Sequence, residues 1–112
     1  MAILSVQAIT KAGLNPSFAS AAGGGDSYPA AGDGREFVEV VNGGGSSINV
    51  TIAAQQACGD FGVSNAAHDL VVAVPASERR RIRVPPTGYR DTNGRVQLGY
   101  SAVTSVTVGV FI

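Results

Sequence analysis

Three groups of residues in this 112-residue chain have types or spacings that could do chemistry. The first is Gly43-Gly44-Gly45 followed by Ser46 and Ser47, in the stretch VVNGGGSSINV. Consecutive glycines ahead of hydroxyls can cradle a phosphate on backbone N–H groups. Such a cradle also needs a lysine for the phosphates and a helix opening behind the glycines. No lysine follows, and residues 46–53, SSINVTIA, alternate as a strand does. A dinucleotide-binding turn fails on the same helix requirement. The stretch reads instead as the tip of a β-hairpin from Asn42 to Ser46 or Ser47, with glycine supplying positive φ.

The second group is Cys58, Asp60, His68 and Asp69. Cys58 is the only cysteine and His68 the only histidine. Their spacing matches no zinc pattern, and two soft ligands are too few to hold the ion. Nothing in the flanking GDFG or NAAHD would orient a Cys–His nucleophile pair. His68 reads as a loop residue and Cys58 as a small apolar one. The letters DFG lack the rest of a kinase's machinery. No acid, base and nucleophile set can be assembled, so the expectation is no enzyme, no catalytic residue, no metal and no cofactor. A single cysteine also excludes an intrachain disulfide.

The third group is the arginine run of ERRRIRV, residues 78–84. On a strand, alternation puts Arg79, Arg81 and Arg83 on one face and Arg80, Ile82 and Val84 on the other. Three guanidiniums in a row need carboxylates opposite them, from Glu36, Glu39 or Asp69 on neighbouring strands or from a partner protein. Arg79, Arg81 and Arg83 are therefore the candidate partner contacts. No aromatic platform accompanies them, which argues against single-stranded nucleic acid. Residues 1–78 carry two cations against seven carboxylates, and residues 79–112 six against one, although the formal net charge is zero. A neutral whole gives no bulk attraction to nucleic acid or anionic membrane.

The elements that must position these residues read as strands. Residues 2–9 alternate, with Ala2, Leu4, Val6 and Ala8 on one face. REFVEVVN, SSINVTIA, DLVVAV, ERRRIRV, RVQLGY and SVTVGVF follow, for seven strand candidates and no convincing helix. Asn93-Gly94 is a strong turn signal, because both residues tolerate positive φ. Residues 12–34 are rich in alanine and glycine, hold no helical period, and read as an extended arm or long loop with Phe18 and Tyr28 as anchors. The chain is 45% hydrophobic but only 14% charged, which suits a domain that covers part of its surface with a partner. The expected architecture is all-β: one β-sandwich, or barrel-like, domain of about seven strands at residues 35–112, preceded by an N-terminal strand and arm at 1–34. The N-terminus has no basic segment ahead of a long apolar core, so export by a signal peptide is not expected. No run approaches the length of a membrane helix.

With the strands placed, DLVVAVPASERRRIRVPPTGYRDTNGRVQLGYSAVTSVTVGVF is similar to the ends of small capsid decoration (cement) proteins of tailed bacteriophages. The shared features are a strand, a short proline turn at Val74-Pro75-Ala76, a second strand stopped by Pro85-Pro86, and an aromatic-x-Asp-x-x-Gly-x-Val turn at Tyr89, Asp91, Gly94 and Val96. The last strands, Tyr100 to Val108, complete it. DGREFVEVVNGGGSSINVTI resembles the second-strand hairpin of such proteins, so the resemblance spans roughly residues 33–111. Its motifs are turn and core residues. The run Glu78-Arg79-Arg80-Arg81 carries more charge than the family pattern.

The resemblance implies a structural protein made in a host cytoplasm and bound to the outer surface of an icosahedral head. There it would bridge major capsid subunits in many copies. Many such proteins trimerise at local threefold axes, so self-contacts on the capsid belong to the expectation. The competing readings are another virion part, at the head–tail joint or in the tail, and a β-sandwich ligand-binding module. A sugar-binding module would show exposed aromatics, and the chain has four phenylalanines, three tyrosines and no tryptophan.

Overall fold

The computed structural model describes residues 2–30, 34–55, 69–85 and 88–112. Ten strands form among them, and no helix: β1 (Ala2–Ile3), β2 (Val6–Gln7), β3 (Ala19–Ser20), β4 (Asp26–Pro29), β5 (Phe37–Asn42), β6 (Ile48–Ile52), β7 (Leu70–Val74), β8 (Arg79–Arg83), β9 (Arg95–Tyr100) and β10 (Val106–Phe111). They build two sheets packed face to face, an all-β sandwich. One sheet runs β1-β4-β9-β6-β7; the other runs β2-β10-β5-β8, with β3 also on β10. Six of the seven expected strands form as single strands.

Period-2 patterning explains both sheets. Val38 and Val40 of β5, Ile82 of β8 and Val106, Val108 and Val110 of β10 point inward from one sheet. Ile48, Val50 and Ile52 of β6, Val74 of β7 and Val96 and Leu98 of β9 meet them from the other. Each fully buried valine contributes roughly 1.5–3 kcal/mol over an exposed one, and β-branched side chains suit the pleated surface.

The N-terminal run 2–9 is not one strand. β1 pairs parallel with β4 in the first sheet, the chain crosses at Leu4 and Ser5, and β2 pairs parallel with β10 in the second. Leu4 is buried at the crossing, and its N–H donates to the Ser27 carbonyl at 2.7 Å.

The stretch expected as an arm is instead tied to the sandwich. β4 lies between β1 and β9, with Asp26, Ser27 and Tyr28 fully buried. Its proline, at the strand's last position, lies beyond the part that β1 covers, so the missing N–H interrupts no ladder on that side. Gly25 leads into β4 at φ +92, and a Cβ there would lie 2.5 Å from the Leu98 carbonyl oxygen. β3 pairs with Thr107 and Val108 of β10, while β2 takes Val110 and Phe111 of the same strand. β5 fills the opposite edge of β10 along its length, so β2 and β3 share the remaining edge end to end. Phe18 and Tyr28 both anchor the stretch: Phe18 packs at 5.7 Å on the Phe111 ring, and Tyr28 enters the core.

The expected hairpin at Asn42–Ser47 does not form. β5 and β6 belong to different sheets, so residues 43–47 are a crossing between them. Nor do Gly43, Gly44 or Gly45 adopt positive φ. Their smallness serves close packing: a Cβ on Gly43 would sit 3.1 Å from the Ser105 carbonyl oxygen, and one on Gly44 3.3 Å from both the Thr104 carbonyl oxygen and Asn42 Oδ1. The β7–β8 and β9–β10 connections also change sheet, and the registers place all three crossings at the same end of the sandwich.

Candidate functional site

Asn42 organises that end. It is buried, and its Nδ2 donates to the carbonyls of Ser46 at 2.8 Å, Val74 at 3.0 Å and Pro75 at 3.3 Å. Its Oδ1 accepts the Gly44 N–H at 3.0 Å, and its own N–H donates to the Glu78 carbonyl. The Gly43 N–H donates to the Ser105 carbonyl at 2.8 Å. The glycine stretch thus ties three crossings together, and the N–H groups of Gly43 and Gly44 are spent on the Ser105 carbonyl and Asn42 Oδ1 rather than offered to an anion.

Asn93 and Gly94 sit in the tight turn between Asp91 and Arg95, Gly94 at φ +77 with its N–H on the Asp91 carbonyl. Asp91 holds the turn: its Oδ1 accepts the N–H groups of Asn93 and Arg95 at 2.8 and 2.9 Å, and its Oδ2 accepts Gln97 Nε2 at 2.8 Å. The Arg95 backbone N–H, then the Gln97 amide, hold its carboxyl below the usual range.

Two polar clusters lie inside the sandwich. The Tyr100 hydroxyl donates to Asp26 Oδ2 at 2.8 Å, and that oxygen also accepts the Ala22 N–H. Burial, then the Asp26 hydrogen bond, push the Tyr100 phenol well above its ordinary range. Tyr28 is raised likewise, by burial and then by the negative charge of Glu36. Its buried hydroxyl meets no partner among the described residues. No group of three His, Cys, Asp or Glu residues among the described residues could hold a metal ion. Cys58, Asp60 and His68 lie outside them.

The polar feature that faces outward is the arginine row. β8 is the edge of its sheet and alternates as its sequence dictates: Arg79, Arg81 and Arg83 project into solvent and Ile82 into the core. Arg80 shares Ile82's face but stays half-exposed at the rim, paired with Glu78 at 2.9 Å. Of the three carboxylates considered, Glu39 is the one opposite the row. It sits across from Arg81 in the ladder, and both Arg79 (3.1 Å, Nη1 to Oε2) and Arg81 (2.9 Å, Nε to Oε1) bind it. Glu36 has the inward parity of Val38, and Asp69 accepts the Ala54 N–H instead. Arg83 rests Nη1 on the Gly34 and Arg35 carbonyls. Among the described residues, two of the three guanidiniums therefore share one carboxylate and the third meets carbonyls.

Sequence reasoning missed what lies beside this row. Residues 8–18 cross the outer face of the sheet as a strap, clamped at its base by Gln7, whose Nε2 donates to the Ser17 carbonyl and whose Oε1 accepts the Ser17 N–H, both at 2.8 Å. The strap explains why Phe111 and Glu39, which have outward parity, are buried. Phe37 stacks on Phe111 at 5.4 Å. Gly109 leaves room for this: a Cβ there would lie 3.0 Å from the Phe111 ring and 3.1 Å from the Ser17 carbonyl oxygen. That glycine inside an otherwise β-branched strand was the one signal in the sequence.

Between strap and arginine row runs a groove of about 250 Å³ lined by Ile9, Leu14, Pro16, Phe37, Glu39, Arg81 and Phe111. Its floor is aromatic, its strap wall aliphatic and its other wall the ion pair of Glu39 and Arg81, with Arg83 in the adjoining depression. This arrangement has no reactive centre; it can hold an apolar group and pair an acidic one. No protein-family model matches the chain, and neither a curated protein nor a solved structure matches it.

Proposed function

We propose that this chain is a structural virion protein, a capsid decoration protein that binds the outside of a bacteriophage head and stabilises contacts between major capsid subunits. The observation that carries this reading is the row of Arg79, Arg81 and Arg83 on the solvent face of an edge strand, three cations against the one buried carboxylate of Glu39. An excess of charge on one face of a formally neutral chain suits oriented docking onto an acidic protein surface. The resemblance of residues 33–111 to cement proteins supports the choice of partner. Repetition over a shell turns a modest contact per copy into firm attachment.

The experiment mixes the purified chain with expanded, emptied heads from the source phage. The chain binds, raises the temperature at which the heads disrupt, and is present in purified virions at a copy number comparable to the major capsid protein. A head–tail or tail component would be far scarcer. Absence from virions together with failure to bind heads ends the proposal.

A further inference from the structure

The groove beside β8 supports an inference that does not depend on the capsid role. At about 250 Å³ it falls below the roughly 300–1,000 Å³ of sites that enclose a whole small molecule. It has the size for a single large apolar side chain. Its floor is the ring pair Phe37–Phe111, and Ile9, 54% exposed, forms the outer lip.

The cationic wall is only partly used. Arg81 binds Glu39 through Nε alone, and no described residue meets its two terminal nitrogens. Those two nitrogens form the edge of the guanidinium that pairs a carboxylate end-on. Arg83 lines the adjoining depression with Phe37 and Arg81, and pairs with carbonyls rather than a carboxylate. The charge on this wall selects a ligand that is acidic as well as apolar.

We propose that this groove docks an extended acidic peptide segment of a partner protein, seating one large apolar side chain on Phe37 and Phe111 and a neighbouring carboxylate on Arg81. The apolar contact supplies attraction, and the guanidinium edge supplies orientation and a preference for carboxylate.

The test titrates the full chain into a fluorescein-labelled pentapeptide, acetyl-Ser-Glu-Leu-Glu-Ser-amide, and reads anisotropy. Binding is saturable and weakens at least tenfold when both glutamates of the peptide become glutamine, when its leucine becomes alanine, or in Arg81→Gln. Because Arg81→Gln disturbs Glu39, Ile9→Ser serves as a second variant. It touches only the exposed lip, and weakens binding at least threefold with an unchanged melting temperature. Affinity weaker than about 1 mM, equal binding of the glutamine peptide, or indifference to Ile9→Ser overturns the proposal. So does tighter binding of a thymidine decanucleotide in competition, which would make the wall a phosphate surface. No arm requires a capsid, so failure here leaves the decoration role standing, and failure of head binding leaves this site standing.

Discussion

The side-chain amide of Asn42 donates to the carbonyl of Val74 at 3.0 Å, joining residues 32 apart in sequence and on opposite sheets. The same amide reaches Ser46 and Pro75, so one buried group satisfies carbonyls in two of the three crossings. Removing it takes this donor from the Ser46 and Val74 carbonyls, while Pro75 keeps the Glu78 N–H, and the cost of orphaning a buried polar group exceeds the net value of a typical hydrogen bond. Asn42→Ala therefore loses about 2–3 kcal/mol, read as a lower urea midpoint at unchanged slope.

Glycines in this chain are required for different reasons, and substitutions separate them. Gly25→Ala places a Cβ 2.5 Å from the Leu98 carbonyl oxygen at φ +92 and costs about 2–4 kcal/mol. Gly109→Ala presses on Phe111 and Ser17 and costs about 1–3 kcal/mol. Gly45→Ala meets nothing within 4 Å and stays within about 0.5 kcal/mol of the parent. Thermal melts of the three variants rank them in that order. Gly45 is thus the position at which a bulky residue probes contact with a neighbour, because a change at Gly44 also strains Asn42 and Thr104.

The buried carboxylate of Glu39 makes the arginine row partly structural. Arg79→Gln with Arg81→Gln leaves that carboxylate without a cation and costs about 1–3 kcal/mol. Adding Glu39→Gln removes the orphaned charge and restores most of the stability. The quadruple variant, with Arg83→Gln added, is then the sound probe of partner binding: it keeps the melting temperature near the parent's while head association weakens and loses its salt dependence.

Tyr28 and Tyr100 set an alkaline limit. The folded state holds both phenols above the ordinary value of 10.0. The unfolded chain therefore releases these protons first. Stability from this source is intact below pH about 10 and falls as the pH rises further. Tyr28→Phe, which also removes a buried hydroxyl with no partner among the described residues, flattens that fall. Urea midpoints at successive pH values, with phenolate absorbance followed alongside, check both points.

Asp91 acts in the opposite direction. Its carboxyl is held below the usual range by the Arg95 N–H and the Gln97 amide, so the ordering of its turn is present at neutral pH and is lost as the pH falls through its folded pKa. Asp91→Ala accelerates hydrogen exchange at the amides of Asn93 and Arg95 and leaves core amides unchanged.

Alternation made the faces of β5, β6, β8, β9 and β10 legible, because a half-buried strand repeats every two residues and valine, isoleucine or leucine fills the inward positions of the core. Pairing was harder to read. VVNGGGSSINV has the composition of a hairpin, yet glycine there answers to the backbones of Thr104 and Ser105, some 60 residues away. β4 carries a buried aspartate, a buried serine and a proline, none of which marks a central strand. It is specified by the neighbours β1 and β9 that it fits between. The arginine row was visible in the run ERRRIRV, whereas its groove depends on a strap held by Gln7 to Ser17, by the Ile9 N–H on the Ile112 carbonyl and by Phe18 on Phe111, pairings that the sequence pattern does not mark.

The threading of residues 2–7 bears on synthesis. Ala2 and Ile3 wait for β4, but Val6 and Gln7 pair with Val110 and Phe111, which the ribosome adds more than a hundred residues later. β5 likewise lacks both its neighbours until β8 and β10 are made. The first sheet has all its strands once β9 is made, whereas the second cannot close before β10, so completion of the sandwich is governed by the arrival of β10. Ribosome-stalled chains ending before residue 106 remain open to protease, and the sandwich becomes resistant only when its last strand emerges.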